Sequence, residues 1–306
     1  MVGRIMPPTI REHLTKIKRF DPIFEELFAL GKISGTDPRS MTEREVRYFV
    51  QALRDRGIEP ATIQKYLQIL NGYLSFIGNR AVDEARCQLK ISAPRNPIHT
   101  LTVDEIGKIF LTIDRMKGWG GSLARGLIHL AFQTLARPSE ILLAQYSDID
   151  MTRKRFYIRN PKGAGSYAVG QWVDMLRPDF YSEIERYLRE REIHLRKCGK
   201  DSIYLFPNIR GEINTFYSSN ALRIRMREVS QRSGVDFSLK TFRATGADLF
   251  VSADLANLYA ISSQLRHSNV ATTQRYYADI QKGHVRRQLG DTYEKISIPI
   301  PANKEG

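Results

Sequence analysis

Apolar residues recur at helical spacing through most of the chain. In the segment that opens at Thr42, the residues Val46, Phe49, Val50 and Leu53 repeat at i, i+3, i+4 and i+7, the stripe of a helix with one buried face. Thr42 and Glu45 supply a capping box at its start. Pro60, favoured in a first turn, opens a second helix with Ile63, Tyr66, Leu67, Leu70 and Leu74 on one side. Residues about 9–90 therefore read as a small helical domain. Between Lys90 and Thr102 the repeat lapses into a stretch with Pro94, Pro97 and basic residues, the composition of a linker. The expected organisation is an N-terminal helical domain over 1–92, a linker over 93–101 and a second domain over 102–306.

After the linker, Thr102 and Glu105 form another capping box, opening a helix through about Met116. Arg155 to Arg159 and Ser166 to Val173 alternate or are rich in β-formers, and Pro161-Lys-Gly-Ala-Gly165 lies between them, so this stretch predicts a hairpin with Lys162 at its turn. Beyond Arg177 the pattern predicts a charged helix to about Lys197, a short strand at Ile203 to Phe206, and helices near 216–232, 240–251 and 255–265. A last segment runs from Gln281 to Gly306. The fold class expected is mainly α with a small antiparallel β-sheet.

Charge narrows the partner. Lys and Arg number 47 against 33 Asp and Glu, a net +14 over 306 residues, which favours a polyanion such as DNA, RNA or an acidic membrane. The excess is +5 in residues 1–95 and +9 in 96–306, so both halves could face the same polyanion. No apolar run reaches the roughly 18–20 residues of a membrane span, and the N-terminus lacks a signal-peptide core. Cys87 and Cys198 stand in unrelated contexts, which supports neither a disulfide framework nor a zinc site. An intracellular, cytoplasmic protein is expected.

Several residues suit phosphodiester chemistry without a metal. Arg137 stands where an apolar stretch ending at Leu135 meets Pro138 and a new helix, and its planar fork matches two phosphate oxygens. Glu140, three residues on, could hold that guanidinium in place. Lys240 and Arg243, also three apart, share one helix face and would gain from an anion between them. His267 precedes Tyr276 by nine residues, and a phenol can act as a nucleophile that leaves a covalent intermediate. Taken singly, each has a plainer reading as a helix start, a solvated basic face or a structural histidine.

Their joint order resembles the tyrosine recombinases, the phage-integrase and Xer-like family of site-specific DNA recombinases. Thr134 to Asp150 is similar to the family's first arginine box, and Leu265 to Tyr276 to its last, including the step from histidine to tyrosine. The resemblance spans about residues 100–280, and the N-terminal helices match the family's core-binding domain in size and position only. It implies that Arg137 and Arg243 clamp the scissile phosphate, that Lys162 protonates the leaving 5′-oxygen, that His267 orients the phosphate and that Tyr276 attacks it. Lys240 takes the place usually held by histidine, and the residues leave open whether it acts chemically or only binds phosphate. Two departures involve glycine: Leu135-Ala136 and Arg266 stand where the family usually carries Gly in its first box and before its last histidine. Arg266 could contact DNA or a neighbouring subunit, or be an ordinary exposed arginine. Arg223, Arg225, Arg227 and Arg232 lie on or just after one predicted helix, where they could reach phosphates or guanine edges or form a solvated face.

The function implied is a site-specific recombinase that cleaves and rejoins DNA through a 3′-phosphotyrosyl link and a Holliday junction, with no cofactor and no metal. Its implied partners are duplex DNA with inverted-repeat half-sites and three further copies of the chain, a dimer per site and a tetramer in all. The implied place is the nucleoid. Two alternatives keep part of the chemistry: a type IB topoisomerase-like enzyme that relaxes DNA as a monomer, and a DNA-binding accessory protein without catalysis.

Overall fold

The computed structural model describes residues 8–86, 88–89, 91, 99–161, 169–210, 215–253 and 257–266. The chain divides into two compact units, Met1–Pro97 and Ile98–Gly306.

The first unit is helical, with α1 (Pro8–Ile17), α2 (Asp21–Ala29), α3 (Glu43–Asp55), α4 (Pro60–Phe76) and α5 (Ala81–Arg86). The capping box forms as its spacing predicts: the Thr42 backbone N–H donates to Glu45 Oε2 at 2.6 Å. Val46, Phe49, Val50 and Leu53 of α3 and Ile63, Leu67, Leu70 and Leu74 of α4 are all buried, while Tyr66 packs against their cluster from a partly exposed position. Phe20 meets Phe49 edge-on at 5.1 Å between ring centres, a geometry aromatic quadrupoles favour.

The second unit is built round α7 (Gly118–Thr134), buried on all sides from Gly121 to Thr134. A helix buried all round belongs at the centre of a domain. Around it lie α6 (Val103–Arg115), α9 (Tyr181–Lys197), α10 (Ser219–Ser233) and α11 (Leu239–Ala253), with the short α8 (Pro138–Leu142) and α12 (Leu258–Gln264) at its C-terminal end. Gly126 lets α9 approach closely, since a β-carbon there would run into the Tyr187 ring.

A three-stranded antiparallel sheet of β1 (Ile149–Asp150), β2 (Arg155–Ile158) and β3 (Gln171–Asp174) covers one edge of the unit. Phe156 pairs with Val173, and these two with Ile158 form the buried face. β3 begins at Gln171, later than Ser166, and β1 is an addition to the expected hairpin. The turn with Lys162 lies outside the described residues, as does most of the expected linker.

The strand expected at Ile203 to Phe206 does not form. Its backbone pairs with Ala144 and Tyr146 through an isolated bridge between Gln145 and Tyr204, followed by another between Pro207 and Phe216. The buried Arg191 side chain donates to the carbonyls of Ser202, Tyr204 and Leu205 at 2.6–3.2 Å, so a cation on α9 satisfies carbonyls that a second neighbouring strand would otherwise have paired.

Candidate active site

α7 ends abruptly at Leu135, whose φ of 51° lies in the left-handed region that glycine favours. Two residues later Arg137 is extended, as a residue before proline tends to be, and Pro138 begins α8. This turn projects Arg137 from the end of the most deeply buried helix of the unit.

Glu140 fixes it there. The carboxylate is 1% exposed; its Oε1 accepts from Arg137 Nη1 at 2.9 Å and its Oε2 from the Arg137 backbone N–H at 2.7 Å. The Arg137 side chain remains 25% exposed, so the pair is anchored at one end and open at the other.

Arg243 reaches the same turn from α11. Its guanidinium donates from Nη1 to the Leu135 carbonyl and from Nη2 to the Leu265 carbonyl at 2.6 Å. Both carbonyls sit at helix C-termini, of α7 and α12, where the partial negative charge of the last peptide groups stabilises a cation. Gln264 ties the last box to this turn through Thr134, donating to its carbonyl at 3.1 Å, and to the end of β3 through the Asp174 carbonyl at 2.8 Å. Gln133, fully buried, exchanges hydrogen bonds of 2.6 and 2.7 Å with the Arg177 backbone just beyond β3. Neither glutamine was expected, because each acts on backbone distant in sequence.

Lys240 stands exposed in the first turn of α11, one turn before Arg243. His267 and Tyr276, like Lys162, lie outside the described residues.

The structure separates the arginines of α10. Arg223 and Arg227 are exposed and, four apart, share a helix face, with Arg223 donating to Asn220 at 2.9 Å. Arg225 points elsewhere: it is half-buried, paired with Glu228, and so close to α7 that a β-carbon on Gly120 would lie 2.6 Å from its Nη1. Arg232 also pairs with Glu228, at 2.9 Å.

Arg266 differs most from expectation. Its side chain is 6% exposed and donates from Nη2 to Glu140 Oε2 at 2.5 Å and from Nη1 to the Gln264 carbonyl at 2.9 Å. It is not an ordinary exposed arginine. Burial pulls its guanidinium below the ordinary arginine value, with Glu140 opposing and Arg137 adding to the fall.

The arrangement is a cluster of buried or half-buried guanidiniums round one carboxylate, with more positive than negative charge and an open edge at Arg137. Such a cluster can neutralise the charge that grows on a phosphate oxygen in a transition state. Among the described residues, no group of three His, Cys, Asp or Glu side chains is placed to hold a metal, and no helix is long and apolar enough to cross a membrane.

A central buried helix, a small antiparallel sheet at its side and arginines from two distant boxes meeting at its C-terminus define the catalytic fold of the tyrosine recombinases. Residues 99–283 match the phage integrase family, and the chain belongs to that family. It is 23% identical to the tyrosine recombinase XerA of Pyrococcus horikoshii over 82% of this chain and 80% of that protein. Among solved structures it is similar to XerH site-specific recombinase bound to a palindromic difH substrate in a post-cleavage complex, with a TM-score of 0.66 at 20% identity over 88% of this chain and 75% of that one. It is also similar to a lambda integrase tetramer bound to a Holliday junction, with a TM-score of 0.61 at 17% identity over 90% and 73% of the respective chains. The protein is a tyrosine-type site-specific DNA recombinase, and the matches favour neither the topoisomerase nor the accessory alternative.

Proposed function

We propose that Arg137 and Arg243 bind the scissile phosphate while Tyr276 attacks its phosphorus, forming a 3′-phosphotyrosyl bond as the bond to the 5′-oxygen breaks. Lys162 gives its proton to that leaving oxygen, and His267 orients the phosphate. Lys240, exposed one turn before Arg243 on α11, supplies a further cation. The energy of the broken ester is kept in the phosphotyrosyl link, so neither ATP nor a metal takes part. Attack of the freed 5′-hydroxyl on the link of a second duplex rejoins the strands through a Holliday junction.

One observation carries this reading: Arg243 hydrogen-bonds the carbonyl of Leu135, two residues from Arg137. Two guanidiniums from separate boxes are thereby held at one turn, as a phosphate clamp requires. The reaction needs two duplexes with a protomer on each half-site, hence a tetramer and inverted-repeat arms, whose symmetry mirrors that of a dimer. Residues 1–92 act as the core-binding domain, 93–101 as linker and 102–306 as the catalytic domain. The site of action is the cytoplasm, on nucleoid DNA.

Incubation with a nicked target duplex in excess EDTA tests the reading. It should leave a protein–DNA adduct stable to detergent, and intact sites should yield four-way junctions. Cleavage that requires Mg²⁺ and leaves no adduct would point to a nuclease, and relaxation of supercoils without a specific site would restore the topoisomerase alternative.

A further inference from the structure

We infer that Arg266 is a positioning residue for Arg137, acting through Glu140; the inference rests on the reading of Arg137 as a phosphate ligand. Arg266 has a φ of 54°, a conformation that costs an L-residue more than glycine. Its guanidinium is also buried, which disfavours the charge it carries. Both costs are incurred at one residue, and the charged contact they permit is the one to Glu140.

That carboxylate is deeply buried, and its two oxygens are divided between partners. Oε1 takes the Arg137 guanidinium, while Oε2 takes the Arg137 backbone and Arg266. With glycine at 266, Arg137 would be the one charged partner left to Glu140 among the described residues. It could then turn to chelate that guanidinium with both oxygens and draw it back from the open edge. Held from the far side by Arg266, the carboxylate presents one oxygen to Arg137 in a fixed direction. The sharing also leaves two guanidiniums to one carboxylate, so the pair keeps a net positive charge to offer a phosphate.

Arg266→Gly suits the backbone conformation, so the variant should fold, and Arg266→Lys keeps the charge without the fork. Two readouts are needed. The first is the Nε–H resonance of Arg137 in ¹H–¹⁵N spectra, assigned with Arg137→Lys, which reports how firmly the guanidinium is held without reference to chemistry. The second is the single-turnover rate of adduct formation on a nicked substrate. Arg266→Gly should shift or broaden the Arg137 signal and slow the adduct on the order of tenfold, less than loss of a direct transition-state donor, with DNA affinity unchanged within about twofold. Arg266→Lys should recover part of both. In a Glu140→Gln background the glycine substitution should cost little more, the non-additivity expected of residues acting through one contact.

An unchanged Arg137 signal in Arg266→Gly, or additive effects of the two substitutions, would overturn the proposal. So would a loss of DNA affinity with a shallower salt dependence, which would make Arg266 a DNA contact. If the wild-type protein forms no adduct, the strand-cleavage reading fails, while the Arg137 signal still decides for or against the positioning role.

Discussion

Leu135 occupies the space that a β-carbon on Gly246 would need: its Cδ2 lies well inside contact distance of where that β-carbon would stand, so the leucine side chain packs directly on the glycine of α11. Leu135 is fully buried among Ala247, Val251, Leu258, Ile261 and Leu265, so it has nowhere to retreat. The leucine at a left-handed position and the glycine on α11 are thus two halves of one fit, and Arg243 depends on it because it hydrogen-bonds the Leu135 carbonyl.

Gly246→Ala should therefore destabilise the protein by about 1–3 kcal/mol through overpacking, although alanine gains about 1 kcal/mol over glycine in an unobstructed helix. Urea denaturation of wild type and variant measures the difference. In a Leu135→Gly background the same substitution should be neutral or favourable. A Gly246→Ala protein as stable as wild type would show that Leu135 yields.

The pH dependence of stability should carry a signature of His129. Burial, and secondarily the charge of Arg125, lowers its pKa from 6.5 to about 4, while its ring packs against Phe110 at 4.7 Å and Phe180 at 5.3 Å. The unfolded chain then binds a proton near pH 6.5 that the folded chain refuses until about 4. The neutral ring's contribution is fully present above pH 6.5 and falls as pH drops towards 4, by about 3 kcal/mol in all. His129→Leu should remove that part of the slope. Wild-type and variant curves that run parallel from pH 7 to 4 would contradict it.

DNA affinity should fall steeply with salt, with a log–log slope of about −0.9 for each phosphate neutralised. Arg223→Ala and Arg227→Ala, on the exposed face of α10, should each weaken binding and reduce the slope by about one phosphate's share. Arg225→Ala should leave the slope alone and lower stability, because that side chain packs against α7 and pairs with Glu228. The opposite pattern would mean that α10 presents its other face to DNA.

These outcomes turn on features that differ in how far the sequence discloses them. The Thr42–Glu45 and Thr102–Glu105 boxes, the α3 and α4 stripes and the Arg137–Glu140 pair are local, set by residues three or four apart, and each formed at its expected place. The burial of Arg266 depends on where α12 packs, which no local pattern encodes. A signal was nevertheless present: Leu135 and Arg266 stand where the resemblance led one to expect glycine, and both have positive φ. A glycine position marks a backbone demand, and in this chain the demand persists after the glycine has gone. Ile203 to Phe206 misled for the reverse reason, because its residue types suit a strand but the Tyr204 and Leu205 carbonyls are claimed by a side chain from α9.

Lys162 can be tested as the general acid separately from phosphate binding. Lys162→Ala should slow cleavage of ordinary DNA on the order of 10²-fold or more. A substrate with sulfur in place of the bridging 5′-oxygen should be cleaved nearly as fast as by wild type, since a thiolate leaves without a proton. Equal impairment on both substrates would reassign Lys162 to holding the phosphate.

The identity of the nucleophile is the most direct test, because Tyr276 and Tyr277 are adjacent and only one can face the phosphate. The nine-residue spacing from His267 selects Tyr276. With a nicked substrate that traps the covalent complex, peptide mapping should place the DNA on Tyr276. Tyr276→Phe should bind DNA yet give no adduct, while Tyr277→Phe should still be trapped. An adduct on Tyr277, or one formed by Tyr276→Phe, would contradict the account.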